Sequence, residues 1–311
     1  MEPVIEIQGL CKDFRVGFWR RRTRILHPLT LTVYRGEIFG YLGPNGAGKT
    51  TTIKLLTGLI HPTAGSARLL DQDLTRIVAK QQIGFLPENP YFYDYLTGRE
   101  FMDLCGRLFG LPAHVRRERI AALFHLTQLA GAADRQLRRY SKGMLQRLGL
   151  AQALINDPSL VILDEPMSGL DPLGRKAMRD VILQLKAEGR TVFFSSHILP
   201  DVEVLCDRVG ILVAGHLRNA GRLEEILKTQ TESIEVTLQR ASPALLASLR
   251  DLALVPPLEQ PDGVLVRVAD EERLDLALRT AVAAGARVVS VVPQRVTLEE
   301  HFLREVQGGT P

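Results

Sequence analysis

The chain carries the sequence Gly43-Pro44-Asn45-Gly46-Ala47-Gly48-Lys49-Thr50, which is a glycine, four further residues and then Gly-Lys-Thr. This spacing is typical of a loop that binds phosphate groups. The residues just before it, 37–42, are apolar and favour a strand, and Thr51 opens a stretch with apolar residues at helical spacing. The loop is therefore predicted to join a strand to a helix, which is the context that this motif requires.

Phosphate binding by such a loop depends mainly on the backbone. Glycines allow successive amide groups to turn toward a polyphosphate, and the N-terminus of the following helix adds partial positive charge. In this motif the lysine, Lys49, reaches the β- and γ-phosphates, and the hydroxyl of Thr50 binds Mg²⁺. We expect residues 43–51, with Thr51 included, to form a nucleotide-binding set.

The composition is that of an ordinary globular protein. The hydrophobic fraction is 45% and the charged fraction 24%. The length of 311 residues suggests about two domains. The net charge of +4 fits phosphate ligands or an anionic membrane surface and favours neither. The three cysteines are scattered, which argues against a disulfide framework or a zinc site. We predict no secretory signal and no membrane span, so any membrane role is expected to need another chain.

A basic stretch that contains Phe14 and Trp19 separates two predicted strands, Val4 to Leu10 and Leu29 to Tyr34. Charge runs usually face water, so we interpret the stretch as a solvated hairpin tip. Two functional interpretations stay open. Phe14 could stack on a nucleotide base, and Trp19 with neighbouring arginines could touch lipid headgroups or a partner chain. We favour the first of these.

Aromatic residues are concentrated after the next predicted strand, Ile83 to Leu86. Four of them occupy the five positions from Tyr91 to Tyr95, although aromatic residues make up only 6% of the chain. An exposed cluster of this kind predicts a docking surface, and packing over a core is the alternative. From Thr97 to about residue 130 the pattern is helical.

Two carboxylates follow an aliphatic run, Leu160 to Leu163. Runs without alternation are typical of strands buried on both faces of a parallel sheet, and ligands bind at the carboxyl ends of such strands. We therefore expect Asp164 to bind Mg²⁺ and Glu165 to accept a proton from an attacking water. A second apolar strand, Thr191 to Ser195, leads in the same way to His197.

The composition shifts at about Thr229. Three strands alternate with three helices from there to the end, with a loop around residues 256–263. The pattern predicts a small α+β domain over residues 229–311. We find no phosphate loop, metal cluster or nucleophile pattern in it.

Further motifs follow the phosphate loop in a fixed order: Tyr140-Ser141-Lys142-Gly143-Met144-Leu145-Gln146-Arg147, Leu163-Asp164-Glu165-Pro166, Ser168-Gly169-Leu170-Asp171 and Ser196-His197. Together they resemble the ATP-binding subunits of ABC transporters over about residues 1–225. The resemblance implies an α/β P-loop NTPase domain at 1–228, with a mixed sheet and a helical subdomain at about 89–157. The ending Val292 to Leu303 is similar to that of accessory domains in exporters of the ABC-2 type, which implies a ferredoxin-like α+β domain.

The resemblance also implies sites shared between two copies of the chain. ATP would lie on the phosphate loop of one copy and under Ser141, Lys142 and Gly143 of the other, with Asp171 in the loop beside them. The catalytic residues implied are Lys49, Glu165 and His197, of which the histidine holds the γ-phosphate side. The cofactors implied are ATP and Mg²⁺.

The chain departs from the family pattern at three positions. Tyr140 replaces the usual leucine of the signature motif, and Lys142 replaces another of its usual residues, whereas Gly143 keeps the glycine. Glu88 takes the place of the family's usual glutamine, and we expect its carboxylate to act as a metal ligand with Thr50 and Asp164. The segment from Glu88 to Leu96 is expected to dock on a transmembrane permease.

These expectations describe an ATP-hydrolysing subunit that powers export through a separate permease. It would work as a homodimer on the cytoplasmic, inner face of the membrane and would bind no nucleic acid. One alternative is a non-transport ABC ATPase acting on nucleic acid or ribosomes, but those usually carry two ATPase halves or a long coiled coil. A phosphate-loop kinase or GTPase is opposed by the signature, and an inactive binding module by the intact catalytic set. The sequence does not indicate the transported substrate.

Overall fold

The computed structural model describes residues 2–17, 21–74, 81–228, 231–260, 263–295 and 298–307. These form two compact units. Of the described residues, the first contains those as far as Leu223 together with 305–307, and the second contains those from Glu224 to Arg304. The sequence pattern placed the boundary between the units at residue 228, five residues later than in the structure. The residues between the two boundaries belong to a short helix, Leu223–Lys228.

The first unit combines strands and helices along its whole length. Its described strands are β1 (Pro3–Val16), β2 (Arg21–Tyr34), β3 (Ile38–Leu42), β4 (Ala64–Leu69), β5 (Gln72–Asp73), β6 (Ile83–Leu86), β7 (Leu160–Asp164), β8 (Thr191–Ser196), β9 (Arg208–Val213) and β10 (His216–Arg222). Its described helices are α1 (Lys49–Leu56), α2 (Gly98–Leu108), α3 (Ala113–Leu126), α4 (Lys142–Ala153), α5 (Pro172–Ala187) and α6 (Leu199–Leu205), with 3₁₀ turns at Ala130–Ala132 and Leu137–Arg139. A further helix, α7 (Leu223–Lys228), starts at the last residue of this stretch and belongs mostly to the second unit.

The central sheet positions the site. Its strand order is β10-β9-β3-β8-β7-β6, and all neighbours are parallel except β10, which runs antiparallel to β9. Every residue of β3, β7 and β8 is buried, as the unbroken apolar runs predict. The carboxyl ends of the parallel strands therefore meet at one edge, which brings the residues that follow β3, β7 and β8 together.

A second, antiparallel sheet has the order β2-β1-β4-β5. Its buried residues, among them Ile5 and Leu29, share a hydrophobic core with Phe39 and Phe193 of the central sheet and Ile53 of α1. The strands β1 and β2 are longer than predicted. Phe14 pairs with Thr23, so most of the predicted hairpin tip is regular strand, whereas Trp19 lies outside the described residues.

The helical layer consists of α2, α3 and α4. At the start of α2, Thr97 and Glu100 form a reciprocal capping box, in which each side chain bonds the backbone N–H of the other. Ser141 caps α4, because its Oγ accepts a hydrogen bond from the N–H of Met144 at 3.3 Å. Tyr140 is buried just before this cap, and its hydroxyl donates to the Ala132 carbonyl at 2.7 Å. The unusual signature residue Tyr140 therefore anchors the start of the helix.

The second unit is ferredoxin-like. Its described elements are β11 (Thr231–Gln239), α8 (Pro243–Leu249), β12 (Leu258–Gln260), β13 (Gly263–Val268), α9 (Glu271–Ala283), β14 (Arg287–Arg295) and α10 (Leu298–Gln307), whose last residues extend beyond Arg304. The antiparallel sheet has the order β12-β13-β11-β14, which is the β-α-β-β-α-β arrangement with the first strand between the third and the fourth.

The prediction of a plain loop at residues 256–263 was wrong. Leu258–Gln260 pair with β13 as an edge strand, although all three side chains are exposed. A strand this short shows no apolar alternation, so the periodicity did not reveal it. Residues 261 and 262 of that predicted loop lie outside the described part of the chain.

The described helices were compared with the length and hydropathy of a membrane-spanning helix. None of those in the described part of the chain combines the length and the apolar character needed to cross a bilayer.

Candidate active site

The phosphate loop connects β3 to α1, as predicted. Gly46 and Gly48 adopt left-handed backbone conformations, with φ of 79° and 108°, and Gly48 is the N-cap of α1. Any side chain at Gly43 would collide with the Leu212 carbonyl oxygen of β9. Glycine is therefore required at these positions both by conformation and by close packing.

The loop forms one wall of a cleft of about 690 Å³. The cleft contains most of the predicted nucleotide-binding residues together with the predicted catalytic residues. Its lining consists of Phe14, Ile25, Pro44, Asn45, Gly46, Ala47, Gly48, Lys49, Thr50, Thr51, Glu88, Glu165, Ser168 and His197. Ser168 belongs to the Ser168–Asp171 motif but was not assigned a site role, and Ile25 belongs to no motif that could have revealed it. Gly43, which was predicted to bind nucleotide, does not line the cleft.

Asp164 ends β7 and is almost fully buried. Its Oδ1 accepts hydrogen bonds from Ser195 Oγ at 2.7 Å and from Thr50 Oγ1 at 3.3 Å. Burial raises the pKa of this carboxyl above its ordinary value; the hydrogen bonds from Ser195 and Thr50 oppose the shift, and the charges of Glu88 and Glu165 add to it.

The oxygen atoms around Asp164 fit a magnesium ion. Mg²⁺ prefers oxygen ligands, and the Thr50 hydroxyl lies within hydrogen-bonding distance of the Asp164 carboxylate. Glu88 faces the same cleft and contributes negative charge near Asp164. A bound Mg²⁺ would neutralise charge on the phosphate oxygens. Among the described residues, no cluster of three or more His, Cys, Asp or Glu side chains forms a metal cage, so phosphate and water would complete the shell.

Glu165 connects the phosphate loop to the histidine. Its Oε1 lies 3.1 Å from Lys49 Nζ, and its Oε2 lies 2.8 Å from His197 Nδ1. The backbone of Glu165 is left-handed, with φ of 49°, and its N–H donates to Ser195 Oγ at 2.9 Å. A left-handed backbone costs conformational energy in a residue other than glycine, and residues strained in this way are concentrated at functional sites. The geometry suits a base that is held in place from both sides.

Lys49 is buried among oxygen atoms of its own loop. Its ammonium donates to the Gly43 carbonyl at 2.6 Å and to the Pro44 carbonyl at 3.3 Å, in addition to its ion pair with Glu165. These contacts hold the cation on the floor of the cleft.

Phe14 lies half-buried on the rim of the cleft. The Lys12 ammonium is 5.1 Å from the centroid of the Phe14 ring, on one face. A ring on the rim of a phosphate-binding cleft is suitably placed to stack on a base.

The signature residues lie elsewhere. Ser141, Lys142, Gly143 and Asp171 line a separate pocket of about 450 Å³ that shares no residue with the cleft. The structure therefore does not bring these four predicted site residues to the phosphate loop of the same chain. The remaining lining is Gln128, Arg147, Gly169, Leu170, Leu173, Gly174 and Ala177.

Local contacts fix the shape of this second pocket. Asp171 caps α5 through its Oδ1, which accepts from the Gly174 N–H at 3.2 Å. The Lys142 ammonium packs directly on Gly169, where a side chain would displace it. Arg147, which sequence reasoning did not select, donates to the Thr127 carbonyl at 3.1 Å. The pocket thus presents a helix N-terminus and a lysine on one surface.

The predicted docking segment is mixed in character. Tyr91, Tyr93 and Tyr95 are exposed, with 93%, 51% and 63% of their surface accessible. Phe92 instead packs edge-on against Phe101, at 5.1 Å between ring centroids. The cluster is therefore a surface of three tyrosines anchored by one buried contact.

Residues 26–168 match the family described as ABC transporter. An uncharacterized ABC transporter ATP-binding protein of Nostoc sp. is 48% identical over 98% of this chain and 90% of its own length. The Nod factor export ATP-binding protein I of Burkholderia lata is 35% identical over 90% of this chain and 91% of its own. A solved structure of an ATP-binding subunit of an ABC transporter is 32% identical, with a TM-score of 0.64 over 72% of this chain and 91% of its own.

The similarity extends through the second unit, since these two relatives match nearly the whole chain. Within the first unit, Lys49, Thr50, Glu165 and His197 line one cleft, and the signature residues line a separate pocket. The chain belongs to the ABC transporter family, as an ATP-binding subunit that hydrolyses ATP.

Proposed function

We propose that this chain powers export through a separate permease by hydrolysing MgATP at sites shared between two of its copies. One observation carries the proposal: the phosphate loop and the signature residues form two separate pockets on the same chain. Each pocket contains half of the chemistry. A second copy could supply the missing half to both, which is the reciprocal contact that a two-fold dimer makes.

In the cleft, the phosphates of ATP would compete with Glu165 for Lys49. Phosphate oxygens on the loop amides and on Lys49 would release Oε1 of Glu165 to face the γ-phosphate. A water held by this carboxylate attacks the γ-phosphorus, the water proton passes to Glu165, and the bond to the β-phosphate oxygen breaks to leave ADP and phosphate. His197 retains the Oε2 side of the carboxylate and orients it.

Mg²⁺ is assigned to Thr50 and Asp164, with Glu88 nearby. Burial raises the pKa of Asp164, so a divalent cation that binds the ionised carboxylate relieves an unfavourable charge. The proximity of Glu88 increases this effect.

Export is the direction supported by the Nod factor relative, whose name describes export. We assign the contact with the permease to the tyrosine surface formed by Tyr91, Tyr93 and Tyr95, because exposed aromatic residues are enriched at protein interfaces. The chain would then work on the cytoplasmic face of the membrane, held there by the permease. We assign the ferredoxin-like unit a role in stabilising or regulating the dimer.

The proposal is tested by ATPase assays on the purified chain, alone and with the permease that co-purifies from membranes. We expect Mg²⁺-dependent hydrolysis whose specific rate rises with protein concentration, since the site needs two copies. Replacing the three tyrosines by alanine should remove stimulation by the permease and leave the basal rate unchanged. Stimulation by RNA or ribosomes with no response to the permease would favour the non-transport alternative.

A further inference from the structure

A bend at residues 155–158 connects the two half-sites of one chain. The helix α4 begins beside Ser141 and ends before the bend, and β7 continues from it to Asp164 and Glu165. A single stretch of chain therefore carries the signature residues at one end and the catalytic carboxylates at the other. The angle at the bend fixes where one lies relative to the other.

Two arginines from different elements hold the bend at Asp157. Arg119 of α3 donates to Asp157 Oδ2 at 3.1 Å and to the Ile155 carbonyl at 3.0 Å. Arg190, which directly precedes β8, donates to Asp157 Oδ1 at 2.8 Å and to the Pro158 carbonyl at 3.2 Å. The carboxylate of Asp157 thus joins the helical layer to the strand that leads to His197.

The backbone at the bend is adapted to this arrangement. Asp157 is left-handed, with φ of 58°, a conformation that aspartate and asparagine tolerate better than most residues. Next to it, the Asn156 amide donates to the Gln81 carbonyl at 2.7 Å, beside β6. The bend is therefore hydrogen-bonded to α3, to the residue before β8 and to the segment before β6.

Small changes at the bend would be amplified at the signature. The helix α4 has 12 residues, and at 1.5 Å per residue it is about 18 Å long. A tilt of about 10° at its C-terminal end would move Ser141 by about 3 Å, which is far more than a hydrogen bond tolerates. Precise capping of a phosphate by Ser141 therefore requires a rigid bend.

We propose that Asp157 is a positioning residue for ATP hydrolysis, which holds α4 at the angle that lets its signature residues meet ATP on a second copy. This inference rests on the proposed shared site. Asp157 lines neither the cleft nor the signature pocket, so its replacement acts on dimer closure and turnover and leaves nucleotide binding to the phosphate loop unchanged.

The test uses Asp157→Asn, which keeps the left-handed backbone and removes the charge that both arginines share. Arg119→Lys keeps the charge and removes the fork that bonds two acceptors at once. The matched control is Glu2→Gln, which breaks a comparable exposed fork, from Arg35 at 2.7 and 2.6 Å, beside the start of β1 and the end of β2.

Each variant is measured in two backgrounds, and its melting temperature is recorded. In Glu165→Gln, the dissociation constant of the ATP-bound dimer is measured by analytical ultracentrifugation. In the otherwise native chain, kcat and the affinity for ADP are measured. We expect Asp157→Asn to weaken the dimer and lower kcat by about tenfold, as loss of two partly exposed charged contacts suggests. Arg119→Lys leaves the contact with Arg190 intact and should change both quantities in the same direction by about threefold. The affinity for ADP should equal that of the control.

The inference is overturned if the two variants match Glu2→Gln in dimer affinity and kcat. It is also overturned if dimer affinity, ADP affinity and melting temperature all fall together, because that pattern indicates a structural role alone. If Glu165→Gln without any further change stays monomeric in ATP, the proposed shared site is wrong. That result also removes the basis of this inference, and it is distinguished from failure of the inference alone, in which Glu165→Gln dimerises normally.

Discussion

The ammonium of Lys49 lies 3.1 Å from Oε1 of Glu165, and the two side chains are only 6% and 7% exposed. The phosphate-binding cation and the proposed base therefore neutralise each other within the cleft. In the proposed mechanism, a phosphate that binds Lys49 would separate the two side chains, so ATP would both fill the loop and free the base. The same contact links nucleotide binding to the stability of the fold.

Replacing Lys49 by alanine should weaken ATP binding and also destabilise the chain. Removing one partner of a buried ion pair costs about 3 kcal/mol, because the other charge is left without compensation. The double variant Lys49→Ala/Glu165→Gln should recover most of the lost melting temperature, since it removes both charges. Thermal unfolding of the four proteins in the cycle measures this coupling. Additive effects of the two changes would show that the pair contributes nothing to stability.

Replacing Glu165 by glutamine should preserve ATP binding and reduce hydrolysis by about 10²-fold to 10⁴-fold, as expected for loss of a general base. The side chain keeps its size but cannot accept the water proton. Nucleotide affinity is measured by titration and turnover by phosphate release. A variant that hydrolyses ATP at the native rate would exclude Glu165 as the base.

Replacing Asp164 by asparagine should stabilise the metal-free chain at neutral pH. Folding raises the pKa of this carboxyl, so the native state holds its proton more tightly than the unfolded chain does. Stability is therefore lost as the pH rises through the unfolded and then the folded value, and asparagine avoids that loss. Melting temperatures in EDTA between about pH 4 and pH 8 should diverge with rising pH. A constant difference across this range would contradict the assignment.

Replacing Glu88 by glutamine should shift the acidic limb of the pH–rate profile to lower pH. The negative charge of Glu88 contributes to the raised pKa of Asp164, and Asp164 must be ionised to bind Mg²⁺. The pH–rate profiles of the variant and the native chain measure this shift at saturating Mg²⁺. An acidic limb at the same pH in both proteins would show that the charge of Glu88 does not affect ionisation of Asp164.

Replacing Phe14 by alanine should raise KM for ATP by about tenfold with little change in kcat, because stacking contributes to binding of the base and not to the chemistry. Phe14→Trp is the matched control and should retain the native KM. Steady-state kinetics with ATP measure both. An unchanged KM in the alanine variant would show that the base binds elsewhere.

The sequence predicted the central sheet well because its strands are continuous apolar runs that end in polar residues. Ile83–Leu86 and Leu160–Asp164 match the predicted strands closely. Prediction failed for strands that lack an apolar run bounded by polar residues. The basic residues of β1 and β2 resembled a loop, although they pair, and Leu258–Gln260 is too short to show a period.

The site was only partly predictable for a different reason. Motifs identify residues such as Lys49 and Asp164, because each lies at a fixed place in a local segment: Lys49 in the phosphate loop and Asp164 at the end of β7. Contacts such as Lys49 with Glu165, or Asp157 with Arg119 and Arg190, join residues far apart in the chain. They depend on tertiary packing, which neither spacing nor composition encodes.

The central claim, that two copies share each ATP site, is tested most directly by mixing two inactive variants. One carries Lys49→Ala and lacks a working phosphate loop, and the other carries Ser141→Arg and lacks a working signature. A mixed dimer contains one site with both halves intact, so an equal mixture should recover hydrolysis at about a quarter of the native sites. A mixture that is no more active than its two components would contradict the shared site.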